Sequence, residues 1–471
     1  MIKRENGIVG QWRHLAFWIA ALATLTSGSA FSASTVRNAA GEFIATGLSK
    51  GQLQESRVLN RQPARQVRLF EVNGSGPGAD WNTGVGGRSD RSGRSSQTGP
   101  DSASLLWQDG QFNAPIGVPE SSATEGNLLV STRIAAGGES QSRGWIVALD
   151  LSSGDELWKI QLPISSDSNW WSHSFGVRDG QVYASRSLGI SRPDYLYALC
   201  VSDGSVIWRS EDLIDADIVE TPPYAENGDI IIGTWRSVFR VNRLDGSTVW
   251  SSERTCPTQP GGCQATVSGN RVYLWDARFV EGQLALVVVA IDIDTGAELY
   301  ASPALSSGFI TIQQIALFAD SAGGIYAPSA RLTPDDVLIG LQDTGEALVE
   351  RWRVPVDWVP WASFGVGPDG SVYSYSTAHE VVRIDPKSGD VLNTSLPIPY
   401  SNRLLPRLAV DAVGKLFLTA HYGQGWLFSF DSDLSLRWQE VLPGAEGPAL
   451  GQDGILAVTG TGTEWRAYQE P

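Results

Sequence analysis

The side chains best suited to chemistry are few and far apart. Beyond residue 33 there are three histidines, His173, His379 and His421, in separate stretches of sequence, which is not the spacing of a zinc site. No Gly-x-Ser-x-Gly elbow occurs, no phosphate-cradling glycine loop, and no run of Asp, Glu and Asn with calcium-ligand spacing. No catalytic residue is assigned. One weaker regularity is a polar residue at a constant offset before successive Gly-led apolar strands. It reads His173, Thr221, Cys263, Ser363, Arg407 and Glu446, with Gln313 and Gln314 in the corresponding region of one further unit. Polar groups at one place in successive repeats can converge on a ligand; the plainer reading is a polar wall lined by water. Two aromatic clusters offer a second surface: Asn169, Trp170 and Trp171 with His173, and Trp358, Pro360 and Trp361. Exposed Trp is favoured at binding hot spots. Trp171 and Trp361 align between repeats and read as packed, which leaves Trp170 and Trp358 as the surface candidates.

The elements that must position these residues recur along the chain. The segments IVALDLSSGDELW (146–158), LYALCVSDGSVIW (196–208), FRVNRLDGSTVW (239–250), VVAIDIDTGAELY (288–300) and VVRIDPKSGDVLN (381–393) share one plan: an alternating apolar strand, a polar turn with Gly, a short strand and an aromatic slot. Asp150, Gly154 and Trp158 are spaced by four, as are Asn242, Gly246 and Trp250. An Asp or Asn leaving a strand bonds the backbone of its own turn, and Gly closes the hairpin at positive φ. The Trp then sits on an outer strand, where it can fill the gap to a neighbouring sheet. Two units depart from the plan. LQDTGEALVERW (341–352) has two extra residues between Gly345 and Trp352, and FDSDLSLRW (430–438) lacks the Gly.

A second strand precedes each unit, as in DGQVYAS (179–185), GNRVYLW (269–275) and DGSVYSY (369–375). The combination resembles the PQQ-like propeller repeat and covers residues 101–471. Aromatic slots 41 to 52 residues apart match four-stranded blades. Seven complete units lie between the slots. The tail from Asp453 to Tyr468 lacks an outer strand and SASLLWQ (102–108) lacks inner ones, so the two chain ends together make an eighth blade and leave no open sheet edge. The expected fold is all-β, an eight-bladed propeller, with seven blades as the alternative.

The resemblance implies an enzyme option. Quinoprotein dehydrogenases hold pyrroloquinoline quinone with calcium over such a propeller, many with a disulfide between adjacent cysteines. This chain has no adjacent Cys pair. The expectation is therefore a non-enzymatic, monomeric binding or scaffold propeller without a cofactor, taking a protein or an extracellular polymer. A PQQ- and calcium-dependent oxidoreductase and a carbohydrate-binding propeller are the alternatives. A familiar functional model for such a resemblance is the scaffold propeller of the outer-membrane barrel-assembly machinery, a lipoprotein, whereas no Cys lies near the expected cleavage point here.

Composition sets the compartment and the partners. Lys3, Arg4 and Arg13 followed by the apolar run 15–25 and small residues read as a signal peptide over 1–33, too short to span a bilayer. The expected product is soluble, periplasmic or secreted, with no transmembrane anchor. Losing three basic side chains and Glu5 deepens the net charge from −16 to −18, which repels phosphate backbones and excludes nucleic acid as an expected partner. Cys256 and Cys263 bracket a short loop and are expected to form a local disulfide; Cys200 is expected to be a buried, inert thiol. Residues 34–100 do not repeat, and the Gly-, Ser- and Arg-rich stretch 73–100 is expected to be a flexible linker.

Overall fold

The structure, a computed structural model, describes residues 36–37, 43–44, 81, 87–110, 122–134, 144–166, 170–187, 192–215, 222–234, 236–254, 264–307, 316–329, 337–356, 363–398, 406–420, 425–442, 445–460 and 464–470. The chain divides into two units, Met1–Arg68 and Leu69–Pro471. In the first, Val36–Arg37 pairs antiparallel with Phe43–Ile44. The expected signal peptide lies outside the described residues.

The second unit holds eight antiparallel sheets, one per repeat. Blade 1 is Ala123–Glu125, Leu128–Ile134, Gly144–Asp150 and Glu156–Ile160; blade 2 is His173–Arg178, Gln181–Ser185, Asp194–Cys200 and Val206–Ile214. Blade 3 has Ile230–Gly233, Ser237–Val241 and Thr248–Glu253, its inner strand reduced to a bridge from Tyr224 to Ile230. Blades 4 to 7 begin at Thr266, Phe318, Gly365 and Arg407 and end at Ala301, Pro355, Thr394 and Val441. Blade 8 joins Ala445–Leu450, Leu456–Gly460 and Arg466–Tyr468 to Leu105–Gln108 from the other end of the chain. The ring closes as the two incomplete chain ends require.

The repeat chemistry explains both the turns and the packing between blades. In blade 1, Asp150 accepts hydrogen bonds from the amides of Ser152 (2.9 Å) and Ser153 (3.0 Å), while Gly154 sits at φ +76°. That glycine is required twice over. A Cβ there would lie 2.6 Å from the ring of Trp107, the aromatic slot of the preceding blade. Trp107, Trp158, Trp208, Trp250 and Trp352 each rest on such a glycine and donate Nε1–H to a carbonyl of the next blade, those of Leu151, Val201, Arg243, Ile293 and Pro386, at 2.7 to 3.0 Å. Tyr300 replaces the indole in blade 4 and donates its hydroxyl to Asp343 at 2.6 Å.

The two irregular units keep the architecture by local means. In 341–352 the extra residues become further rungs of the hairpin, Leu341–Glu350 through Asp343–Leu348. In 430–438 Leu434 takes the glycine's place at φ +69° with its side chain buried. Cys200 corrects an expectation. It is a free thiol, half-buried rather than buried, because it occupies the turn-capping position that Asp150 holds in blade 1. Its Sγ lies 3.1 Å from Ser202 Oγ. Cys256 and Cys263 lie outside the described residues.

Candidate functional site

In each blade the first-to-second and third-to-fourth strand turns emerge on one face of the ring. The second-to-third connections and the passages between blades emerge on the other, the loop face. The inner strands present unpaired backbone N–H and C=O groups to the central channel, and buried groups of this kind need partners.

At the turn face those partners come from the chain itself. Residues 87–100, expected to belong to a flexible linker, are instead built into the propeller. Ser89 Oγ accepts the amide of Tyr224 (2.9 Å), and the Ser89 carbonyl accepts that of Val267 (2.8 Å). The carbonyls of Asp90, Ser92, Gly93 and Gln97 then accept the amides of Ala319 (2.8 Å), Val366 (2.7 Å), Val410 (2.6 Å) and Ala412 (2.9 Å). The Ser95 amide donates to the Val410 carbonyl at 2.8 Å, and Ser95 Oγ to the Leu450 carbonyl at 3.3 Å. Arg91, 3% exposed, donates Nε–H to the Ala265 carbonyl at 2.7 Å. This strap therefore visits the inner edges of blades 3 to 8 in order, and Trp81 reaches blade 1 by accepting the Thr124 amide at 2.7 Å. A segment bonded to so many inner strands within eleven residues (89–99) lies across the turn-side mouth of the channel. Its small residues are what permit this: a Cβ on Gly93, at φ +64°, would sit 2.8 Å from the Phe364 carbonyl oxygen. The composition that resembles a linker is here the composition of a backbone that must pass close to other backbone.

The expected ring residues are placed unevenly. His173 and Arg407 are the first residues of the inner strands of blades 2 and 7, at the end of the channel opposite the strap. Ser363 accepts the Leu408 amide on its Oγ at 2.6 Å, so it joins blade 6 to the strand that Arg407 opens. Arg407 is buried. Thr221, Gln314 and the side chain of Glu446 lie outside the described residues, as does Trp358.

His173 is fully enclosed. Its Nδ1 lies 3.2 Å from the Trp171 carbonyl, its ring meets Phe175 edge-on at 4.9 Å, and Nε2 has no partner. Burial pushes its pKa down to about 3, so the ring is neutral and a poor proton donor. Because the folded pKa lies below the unfolded value, the unfolded chain binds the extra proton between pH 6.5 and 3. Stability from this group is full above pH 6.5 and falls by about 1.4 kcal/mol per unit as pH drops through that window. His173→Gln is expected to flatten that slope in denaturant titrations from pH 7 to 5; an unchanged slope would mean that His173 does not set it.

Trp170 is half-buried at the loop face and Trp171 is buried, with ring centroids 4.3 Å apart. The Arg192 guanidinium lies 4.5 Å over Trp170. Sequence reasoning missed Arg192 because its pairing with Trp170 joins two different connections of blade 2.

Among the described residues no group of three or more His, Cys, Asp or Glu side chains is arranged to hold a metal ion. Because the strap lies across the turn-side mouth, a group held over the channel would have to sit at the opposite mouth, and no reaction step is derived through a quinone. No helix among the described residues is long and apolar enough to cross a membrane.

The family model described as outer membrane protein assembly factor BamB matches residues 142–316. No curated protein matches the chain. Among solved structures, quinohemoprotein alcohol dehydrogenase from Comamonas testosteroni superposes with TM-score 0.53 at 12% identity, over 89% of this chain and 84% of that one. The computationally designed Ika8 protein superposes with TM-score 0.53 at 14% identity, over 78% and 99%. BamB from Moraxella catarrhalis aligns over 70% and 96% at 12% identity, with TM-score 0.41. In all, 815 solved chains match, so the likeness speaks to fold and not to activity. On its repeat and its eight closed blades the chain is a β-propeller, and over residues 142–316 it is similar to the PQQ-like repeat that the family model describes.

Proposed function

We propose that this chain is a non-enzymatic propeller of the bacterial envelope or extracellular space that binds another protein through its loop face. The observation that carries the reading is the strap. It fills the turn-side mouth with the chain's own backbone and leaves the opposite face for a partner. That face carries exposed apolar side chains at Ile164 (56%), Leu213 (50%), Phe279 (66%) and Leu396 (71%); the turn end carries Leu244 and Val413 in its turns and Leu105, Leu157 and Val391 at the starts of outer strands. Exposed apolar side chains rimmed by polar ones mark interaction surfaces. The compartment follows from the expected signal peptide, and the acidic surface argues against nucleic acid. A carbohydrate polymer is a second reading, favoured only by the half-exposed Trp170 beneath Arg192.

The competing enzyme reading is tested on the protein from residue 34 onward. With pyrroloquinoline quinone and calcium added, quinone absorbance and melting temperature are expected to stay unchanged. Stoichiometric quinone binding that raises stability by mass action, with dye reduction by an alcohol or sugar, would overturn the proposal.

A further inference from the structure

Where the strap passes between blades 5 and 6 it leaves a cleft of about 250 Å³ that the propeller's own packing does not use. The strap supplies one wall with Ser92 and Arg94; strands and turns of the two blades supply the rest, including Arg351 of the outer strand of blade 5 and Lys387 of a turn of blade 6. The charges divide in a particular way. The three carboxylates at the cleft are each engaged by turn donors. Asp320 accepts the amides of Ala322 (2.7 Å) and Gly324 (2.8 Å) and the Tyr326 hydroxyl (2.6 Å). Asp369 accepts the Ser371 amide (3.0 Å) and hydroxyl (2.9 Å) and pairs with Arg383. Asp90 accepts the Ser92 amide (3.0 Å) and lies 4.0 Å from Arg88.

The cations are less engaged: Lys387 favours the charge of Asp385 in its own turn without a paired contact. Arg94, Arg351 and Lys387 make no ion pair with any described residue, in a protein whose net charge is −16. Ser92 is 3% exposed, lines the cleft, and its Oγ has no hydrogen-bond partner. A buried hydroxyl without an acceptor is unfavourable, and its place beside cations free of ion pairs points to an anion.

We propose that this cleft binds a carboxylate, received by Ser92 Oγ and by the Arg94 guanidinium, with Arg351 and Lys387 at the rim. A guanidinium suits a carboxylate because its planar fork can meet both oxygens. The carboxylate can belong to a free dicarboxylate or to an acidic side chain of a bound protein; the cleft's chemistry is common to both. The proposal does not rest on the loop-face reading, since the cleft lies on the turn face.

The test uses the protein from residue 34 onward at constant ionic strength, with sodium succinate as one probe and an acetylated tetraglutamate peptide as the other, followed by calorimetric titration. Saturable binding of at least one probe is expected. Arg94→Gln is expected to weaken it at least tenfold and Ser92→Ala several-fold. Lys159→Gln, a cation remote from the cleft, is expected to leave it unchanged. Arg94 makes no side-chain hydrogen bond to a described residue, so Arg94→Gln keeps the fold, and an unaltered melting temperature checks this. Tighter binding of the peptide would identify a protein-borne carboxylate; tighter binding of succinate would identify a free one. Absence of saturable binding by either probe, or equal binding by Arg94→Gln, would overturn the proposal.

Discussion

Gly93→Val is expected to destabilise the protein by about 3 kcal/mol, read as a lower denaturant midpoint. The argument has two parts. A β-branched residue is strained at φ +64°, and its Cβ would meet the Phe364 carbonyl oxygen at 2.8 Å and the Leu408 carbonyl oxygen at 3.3 Å. Neither atom can yield easily, because Leu408 belongs to the inner strand of blade 7 and Phe364 immediately precedes that of blade 6. Gly110→Val separates the two contributions. Gly110 has nearly the same φ, +66°, with nothing within 4 Å of a Cβ, so that variant should cost only about 1 kcal/mol. Equal effects of the two substitutions would mean that the strap is not packed against blades 6 and 7.

Trp158→Ala carries the second large expected loss, about 3–5 kcal/mol. The indole is 8% exposed, covers Gly204 of the next blade, and donates to the Val201 carbonyl at 2.7 Å. Its removal opens a cavity between two blades and leaves a carbonyl without its donor. Trp438→Ala is the internal comparison. Trp438 is half-buried, its Nε1 has no acceptor, and the glycine it would cover is missing from the repeat plan of blade 8. Its loss should be smaller by at least about 1 kcal/mol, the usual net value of a hydrogen bond. Denaturant titrations of both variants check the order, and a larger loss at Trp438 would contradict the docking argument.

These two residues also mark what the sequence makes legible and what it hides. Trp158 could be placed on an outer strand, between blades, because Asp150, Gly154 and Trp158 repeat a spacing whose hairpin chemistry is local. The same reasoning placed the two chain ends in one blade, since half-blades at both termini have one way to bury their edges. Gly93 had no such periodicity behind it. The strap occurs once and acts through backbone atoms, which every residue carries, so its side chains carry no signal except smallness. Smallness is also the mark of a linker, and the two are separated only by the inner-strand amides that await partners. The offset that aligned His173 with Arg407 did locate one end of the channel, as both open inner strands. It carried no information on whether their side chains serve a ligand or the wall, and the buried, neutral state of His173 argues for the wall. The cleft between blades 5 and 6 was illegible for a further reason: its residues come from the strap, from turns and from strands of two blades, at separations that no repeat relates.

The most direct test of the account is hydrogen exchange in the protein from residue 34 onward, read at the amides of Val267, Ala319, Val366, Val410 and Ala412. Each donates to a strap carbonyl between Ser89 and Gln97. With the strap across the channel mouth, these five amides should be protected as strongly as the interior ladder amides of their own blades, and in Gly93→Val those of Val366 and Val410 should lose protection first. Exchange of all five in the native protein at the rate of open sheet-edge amides would contradict the account, because the mouth would then be open and the loop face would no longer be the favoured side for a partner.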